Sequence, residues 1–256
     1  MVNAKRALQI ADEAVGGGAD WLEAGTPLIK SEGMEIIRRL KKFGKKVVAD
    51  MKTMDVGAVE VEMAAKSGAD IVCILGLASD ETITEGIETA HRYGAEALID
   101  MIGVGDPAGR ALQVEEMGAD YVCVHVAIDE QMSGVEPFDA IRKVAGKCGL
   151  PVAAAGGINS ETAHVAVENG ADIVIVGGAI IKAEDVAGAT RKIKEAMESG
   201  KPVETSLFKK YGAENLGEAF LKVSTCNVCD AMHNRGAMRG IKPVGRGFTW
   251  PAGQSR

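Results

Sequence analysis

The segment from Asp50 to Asp55 places two carboxylates and one ammonium group directly after an apolar run at residues 47–49. Residues two apart in a strand share a face, so we expect Asp50 and Lys52 to project together and Met51 to point the other way. Asp55 falls in the following loop. A carboxylate and an ammonium held side by side can bind a metal ion, polarise a bound oxygen or move a proton. An ion-pair network that only closes the strand explains the charges equally well.

A repeat surrounds this segment. Gly-Ala-Asp precedes an apolar run at Gly18, Gly68, Gly118 and Gly170, and Gly-Ala-Glu does so at Gly94. The spacing is about 25 residues or twice that, which is typical of successive strand–helix units. Glycine is expected to end each helix, and the apolar run to begin the next strand.

The apolar runs predict seven buried parallel strands. They lie near residues 21–24, 46–50, 71–76, 97–101, 121–125, 151–155 and 173–177. An unbroken series of strand–helix units favours an α/β fold of the (β/α)8 TIM barrel type over an open sheet.

Polar residues at the carboxyl ends of barrel strands are candidates for chemistry, because active sites of TIM barrels lie there. Besides Asp50 and Lys52, these ends carry Glu23, Asp100 and His125. Glu23 has the alternative of a solvated rim carboxylate, and His125 that of a core histidine. Carboxylate oxygens suit Mg²⁺, which we expect Glu23 and Asp50 to bind.

Two glycine pairs follow the last two predicted strands, Gly156-Gly157 and Gly177-Gly178. Taken singly, each pair fits a tight turn. Phosphate sites in TIM barrels form in the loops after the seventh and eighth strands, where glycine lets backbone N–H groups approach the anion. Together the two pairs predict a phosphorylated ligand.

Composition favours a cytoplasmic enzyme. The chain has 256 residues, 46% hydrophobic content and a formal charge of −7, without a basic run. Nucleic-acid binding is therefore disfavoured, and no stretch approaches the ~18 apolar residues of a membrane span. The cysteines are five in number, and Cys73 and Cys123 fall inside apolar strand runs, as reduced structural thiols do.

Five motifs in order resemble the 3-hexulose-6-phosphate synthase family, within the orotidine 5′-monophosphate decarboxylase suprafamily. They lie at residues 23–27, 50–55, 124–131, 155–158 and 176–180, and the likeness covers about residues 3–198. The resemblance implies a Mg²⁺-dependent aldol reaction. Formaldehyde and D-ribulose 5-phosphate, a phosphorylated sugar, would give D-arabino-3-hexulose 6-phosphate, or the reverse cleavage would occur. It also implies a homodimer with active sites near the subunit interface.

The resemblance implies a role for each candidate residue. Glu23 and Asp50 would hold Mg²⁺ against the substrate's carbonyl and hydroxyl oxygens. Lys52 would add a positive charge beside the developing enediolate. For proton transfer we expect His125, because an imidazole can act as base or acid close to neutral pH. Asp55 would reach the active site of the other subunit. The backbones of the two glycine pairs would bind the phosphate.

Three alternatives stay open. The 3-keto-L-gulonate 6-phosphate decarboxylase family shares the scaffold but tends to carry arginine just after the last strand's glycine, where this chain has Gly178-Ala179. Orotidine 5′-monophosphate decarboxylase needs no metal and would leave Glu23 idle. A non-catalytic regulator or scaffold is the alternative of another class, and it would give no reason for Mg²⁺-dependent binding of ribulose 5-phosphate.

The two ends of the chain carry separate expectations. We predict a barrel domain at 1–199 and, at 200–256, a linker with a short extension that resembles the opening of the regulator of ribonuclease activity A family. Cys226, Cys229 and His233 suggest zinc, which is disfavoured because no second ligand pair follows. Asn3 is predicted to cap the first helix. The barrel would then lack its first strand, so we expect a truncated chain with reduced stability and activity.

Overall fold

The structure is a computed structural model that describes residues 3–127 and 136–205, with the single positions 217 and 221. The chain divides into two units, Met1–Thr205 and Ser206–Arg256. Residues 128–131 of the third motif and the Cys226, Cys229 and His233 group lie outside the described residues. In chain order the elements of the first unit are α1 (Ala4–Gly16), β1 (Trp21–Ala24), α2 (Thr26–Glu32), α3 (Glu35–Lys41), β2 (Lys46–Thr53), α4 (Gly57–Lys66), β3 (Ile71–Leu75), α5 (Asp80–Arg92), β4 (Glu96–Asp100), α6 (Pro107–Glu116), β5 (Tyr121–His125), α7 (Phe138–Ala145), β6 (Val152–Ala155), α8 (Ala163–Glu168), β7 (Ile173–Ile175), α9 (Gly178–Ile181) and α10 (Val186–Ser199).

Seven strands form one parallel sheet in the order β1-β2-β3-β4-β5-β6-β7, each paired with the next along the chain. Helices connect the strands and the sheet curls, which confirms the predicted TIM-barrel-like α/β fold. Among the described residues no ladder joins β1 to β7, so the sheet keeps two edges there. In the same part of the chain, no helix has the length and apolar character that a membrane crossing requires.

One strand runs further than predicted. β2 was expected to end at Asp50, but it continues to Thr53. The pairing of β2 with β3 shifts register between Ala49 and Thr53, and Lys52 within this stretch has a φ of +50°. A bulge of this kind absorbs the charged residues and lets the strand continue past them.

The two faces of the sheet pack into two apolar layers, because successive strand residues point to opposite sides. On β3, Val72 and Ile74 belong to the layer under the helices, which also contains Ile83 of α5. Ile71 and Cys73, one residue out of phase, belong to the layer inside the curl. The helix-side layer is the larger one and holds the helices on the sheet.

The repeated Gly-Ala-Asp does more than end a helix. The Asp70 carboxylate accepts the Val47 N–H at 2.7 Å, and Asp120 accepts the Ala97 N–H at 2.7 Å. Asp172 makes the same contact one unit further on. Each aspartate thereby fixes the amino-terminal end of the preceding strand. The repeat glycines all adopt positive φ angles, which favour glycine, of +100°, +96°, +92° and +99° at Gly18, Gly68, Gly118 and Gly170.

The first helix begins as predicted. The Asn3 side chain accepts the Arg6 N–H at 3.0 Å and so caps α1. Ala11 and Ala14 are buried, and Leu8 packs at the edge of the helix-side core. An apolar face at helical spacing therefore attaches α1 to the neighbouring helices α3 and α10.

We predict that Gly57→Ala destabilises the chain. A Cβ atom at Gly57, the first residue of α4, would lie 2.2 Å from the Thr82 carbonyl oxygen of α5. The two helices must then separate, and overpacking of this kind lowers the free energy of unfolding by about 1–3 kcal/mol, measurable by urea denaturation. Gly16→Ala is the matched control, since a Cβ there meets nothing within 4 Å and alanine favours helix. Equal stability of the two variants would contradict close packing of α4 on α5.

Candidate active site

The carboxyl end of β2 presents its charges through a strained backbone. Lys52 adopts the left-handed region, which costs a residue with a side chain about 1–2 kcal/mol. As predicted, Asp50 and Lys52 project together, and Lys52 Nζ lies 3.0 Å from Asp50 Oδ1. Met51 packs against the helix-side core, which confirms the opposite orientation expected for it. Strain at such a position persists only where other contacts hold it.

Asp100, at the end of β4, contacts both Lys52 and His125 and thereby joins them in one site. One of its oxygens, Oδ2, lies 2.7 Å from Lys52 Nζ and 2.8 Å from His125 Nδ1. The other, Oδ1, accepts the Ile102 N–H at 2.9 Å. The residue is only 2% exposed, so its negative charge depends on these partners. The sequence identified Asp100 as a strand-end residue, but no role was predicted for it.

The charges in this network stabilise one another. Burial alone would raise the pKa of Asp100, but the hydrogen bond and charge of His125, with the charge of Lys52, bring it below its ordinary value of 3.8. Burial likewise opposes the charged form of Lys52, and the carboxylates of Asp100 and Asp50 outweigh it, so the pKa of Lys52 is raised. Asp100 and Lys52 are therefore both charged near neutral pH. The Lys52 ammonium group is therefore a fixed positive charge at the carboxyl ends of the strands.

Thr26, the first residue of α2, fixes Asp50. Its hydroxyl group lies 2.8 Å from Asp50 Oδ2 and 2.8 Å from the Asp50 backbone oxygen. Since Lys52 contacts Oδ1, both carboxylate oxygens of Asp50 have a defined direction. The contact also joins the end of β1 to the end of β2. The local sequence pattern predicts no role for Thr26, because nothing in it shows that two strand ends meet there.

Glu23, near the end of β1, has a carboxyl group on which the negative charge of Asp50 outweighs the positive charge of Lys52. Surrounding protein atoms disfavour the charged form and are the main cause that raises the pKa of the Glu23 carboxyl from 4.5 to about 8. The negative charge of Asp50 is the second cause. The side chain is nevertheless exposed, so water screens part of this effect and the upward direction is what matters. Three carboxylates, those of Glu23, Asp50 and Asp100, thus share the charge of Lys52. A divalent cation with oxygen ligands fits such a surplus of negative charge.

Asp55 lies outside this network. It is exposed, and its carboxylate accepts the N–H of the next residue, Val56, at 2.8 Å. The Val56 backbone has a φ of +52°, which is unusual for a β-branched residue. The structure therefore brings Asp50, Lys52, Asp100 and His125 together and leaves Asp55 on the surface of the chain.

The two glycine pairs follow neighbouring strands, since β6 pairs with β7. Gly156 and Gly157 have φ angles of +111° and +71°, which favour glycine. A Cβ at Gly156 would lie 2.6 Å from the Val126 carbonyl oxygen, so the backbones of two loops touch there. Gly177 faces open space, and Gly178 begins the short helix α9. Backbone N–H groups near the surface at this end of the sheet remain candidates for binding an anion.

The curled parallel sheet with helices between its strands puts this chain in the TIM-barrel class, whose active sites lie at the carboxyl ends of the strands, where Lys52, Asp100 and His125 meet. Within the class, the chain belongs to the orotidine 5′-phosphate decarboxylase / HUMPS family, whose family model matches residues 1–193.

The relatives of this chain include several synthases. The protein named 3-hexulose-6-phosphate synthase 3 of Staphylococcus saprophyticus is 39% identical over 201 residues, covering 77% of this chain and 95% of the relative. The crystal structure of 3-hexulose-6-phosphate synthase from Salmonella typhimurium matches with a TM-score of 0.74 and 36% identity, over 78% of this chain and 95% of that one. A structure of KGPDC from Streptococcus mutans has a TM-score of 0.71 at 24% identity, over 78% and 94%, and shows the fold alone.

We predict that Asp100→Asn destabilises the fold in a pH-dependent way. Removing one partner of a buried charge pair lowers the free energy of unfolding by about 3 kcal/mol at pH 7. Because the pKa of Asp100 is depressed in the folded chain, its contribution is present above its ordinary value of 3.8 and is lost as the pH falls through the lower folded value. Urea denaturation at pH 7 and near pH 3 should show the gap between variant and wild type narrowing in acid.

The control is Asp139→Asn, which removes an exposed carboxylate paired with Arg142. Exposed pairs contribute little, so this variant should match wild type at both pH values. A gap for Asp100→Asn that stays constant with pH would contradict the ion pairing of a charged Asp100.

Proposed function

We propose that the chain catalyses the Mg²⁺-dependent aldol reaction of formaldehyde with D-ribulose 5-phosphate, giving D-arabino-3-hexulose 6-phosphate, or the reverse cleavage. The observation that carries this proposal is the shared carboxylate of Asp100, which orients a lysine and a histidine at one strand end. The reaction needs both groups, since a proton must leave the sugar and an oxyanion must be stabilised. The synthase names of the relatives agree with it. A cytoplasmic location stays a prediction.

His125 is proposed to transfer the proton. Its Nδ1 lies beside the Asp100 carboxylate, which only accepts hydrogen bonds when ionised, so Nδ1 carries the hydrogen. When the imidazole is neutral, Nε2 has a lone pair that can take a proton from C1 of ribulose 5-phosphate. The enediolate so formed attacks the formaldehyde carbon through C1, and the C=O π bond of formaldehyde breaks as the new carbon–carbon bond forms. The resulting alkoxide takes the proton back from Nε2. Asp100 acts by holding the imidazole in this tautomer and orientation.

Lys52 is proposed to stabilise the negative charge that develops on the sugar oxygen. Its ammonium group is already fixed by Asp50 and Asp100, so little reorganisation is needed when the charge appears. Glu23 and Asp50 would hold Mg²⁺, and the raised pKa of Glu23 is a sign that positive charge is favoured there. Bound Mg²⁺ supplies Lewis-acid stabilisation of the same substrate oxygens. Gly156, Gly157, Gly177 and Gly178 are proposed to bind the phosphate through their backbones.

A homodimer is part of the same proposal. Met54 and Val56 flank Asp55 with exposed fractions of 52% and 56%, and Val59 and Met63 continue the exposed apolar surface along α4. Val59 and Met63 lie four residues apart and share a face of α4, directly after Val56. Apolar side chains around an exposed carboxylate suit a contact with a second copy of the chain, which would bring Asp55 into the partner's site.

We predict that the purified chain consumes formaldehyde only when ribulose 5-phosphate and Mg²⁺ are both present. Excess chelator should abolish turnover and leave the circular dichroism spectrum unchanged, because the metal is proposed to act on the substrate and not on the core. Release of CO₂ from 3-keto-L-gulonate 6-phosphate is the control for the decarboxylase alternative. Full activity in chelator would exclude the metal role, and formaldehyde loss without the sugar would exclude the reaction.

Mixing two inactive variants tests Asp55. Lys52→Ala should lower the rate by roughly 10²-fold or more, the scale of losing one preorganised oxyanion partner. If Asp55 serves the other subunit, a mixture of Lys52→Ala and Asp55→Ala dimers after subunit exchange has one intact site in each mixed dimer. About a quarter of wild-type activity should then return, since half of the dimers are mixed and half of their sites are intact.

The matched control mixes Lys52→Ala with Asp100→Asn. Because Lys52 and Asp100 contact each other within one chain, no mixed dimer of these two variants has an intact site. Recovery in the control, or its absence in the first mixture after verified exchange, would contradict the assignment of Asp55 to the partner's site.

A further inference from the structure

Two thiol groups lie next to the strand-end charges, on the inner face of the sheet. Cys123 stands two residues before His125 on β5 and therefore shares its face. The pairing of β4 with β5 sets Asp100 directly opposite Cys123. Cys73 comes from β3 on the other side of β4, and both thiols are buried in the inner apolar layer, Cys73 at 3% and Cys123 at 2% exposure. The proposed reaction uses neither cysteine.

The side-chain atoms that bind metals converge at this point. One atom each from Asp100, Cys123 and His125 lie within 4.8 Å of one another. Atoms from Asp50, Cys73 and Asp100 do the same, so Asp100 joins the two groups. Glu23, the expected Mg²⁺ ligand, belongs to neither. A set of thiol, imidazole and carboxylate suits Zn²⁺ and Co²⁺, whereas Mg²⁺ prefers oxygen ligands throughout.

We propose that Asp100, Cys123 and His125 form a binding site for a Zn²⁺-class cation, and that its occupation stops the enzyme. Binding requires Asp100 and His125 as ligands, so Lys52 loses its principal anion and the histidine loses its capacity to move a proton. The inhibition rests on the proposed function. The binding itself does not.

The Cys123 thiol carries a proton that a bound metal must displace. Burial, followed by the charge of Asp100, raises the pKa of the Cys123 thiol well above its ordinary value, so the thiol is protonated without a metal. The loss of this proton on binding favours metals with high affinity for thiolate over Mg²⁺. The ammonium of Lys52, partly exposed, is the group that has to move aside.

The test is a titration of the full chain with Co²⁺ alone, followed by absorption spectroscopy. Thiolate coordination produces a charge-transfer band that oxygen ligands do not. We expect this band in wild type, with the Co²⁺ dissociation constant raised about 10²-fold or more in Cys123→Ala, since even indirect partners of a metal contribute about 10–100-fold. Cys148→Ala is the matched control: Cys148 is also buried, but its sulfur lies near the Ala111 carbonyl oxygen.

Two further measurements distinguish binding at Asp100, Cys123 and His125 from binding elsewhere on the chain. The double variant Cys226→Ser/Cys229→Ser should keep the band. A band that is lost in this variant would assign the site to residues 226–229 and overturn the proposal.

Zn²⁺ should inhibit turnover in wild type, with no relief by excess Mg²⁺. Inhibition without a thiolate band, or relief of inhibition by Mg²⁺, would mean that Zn²⁺ competes with Mg²⁺ for the oxygen ligands. Either result would also overturn the proposal. Alanine avoids a buried hydroxyl, and thermal melting verifies that each variant is folded.

Discussion

The site depends on the burial of one charge. Asp100 is almost fully removed from water, and a carboxylate in that position is stable only with cationic or hydrogen-bonding partners. Lys52 and His125 meet this requirement from strands on either side of β4. The order of the sheet therefore decides which groups share the carboxylate. The same ion pairs that make the burial tolerable also orient the two groups proposed to act on the substrate.

Aspartate has different tasks at the two ends of the sheet. Asp70 and Asp120 lie at the amino-terminal ends of strands, where their carboxylates accept backbone N–H groups of the neighbouring strand. Asp50 and Asp100 lie at the carboxyl ends, where they contact Lys52. The first pair stabilises strand geometry, and the second prepares charges for chemistry. A repeat that builds the barrel thus keeps its structural carboxylates away from its reactive ones.

The sequence predicted the strands well because apolar runs and preceding glycines are local signals. It also identified Glu23, Asp50, Lys52 and His125 as strand-end residues. It did not predict the central place of Asp100, since Lys52 and Asp100 are 48 residues apart and their contact depends on strand order and side-chain length. The bulge at Lys52 was also missed, because a positive φ at a residue other than glycine is imposed by surrounding contacts and has no local pattern.

A double-mutant cycle on Lys52 and Asp100 tests the central claim most directly. The free energy of unfolding is measured for wild type, Lys52→Met, Asp100→Asn and the double variant at pH 7, in urea. If the buried carboxylate depends on the ammonium group, the coupling free energy should reach about 1–3 kcal/mol. Effects that add to within about 0.5 kcal/mol would contradict the account, because two groups that do not interact show such additivity.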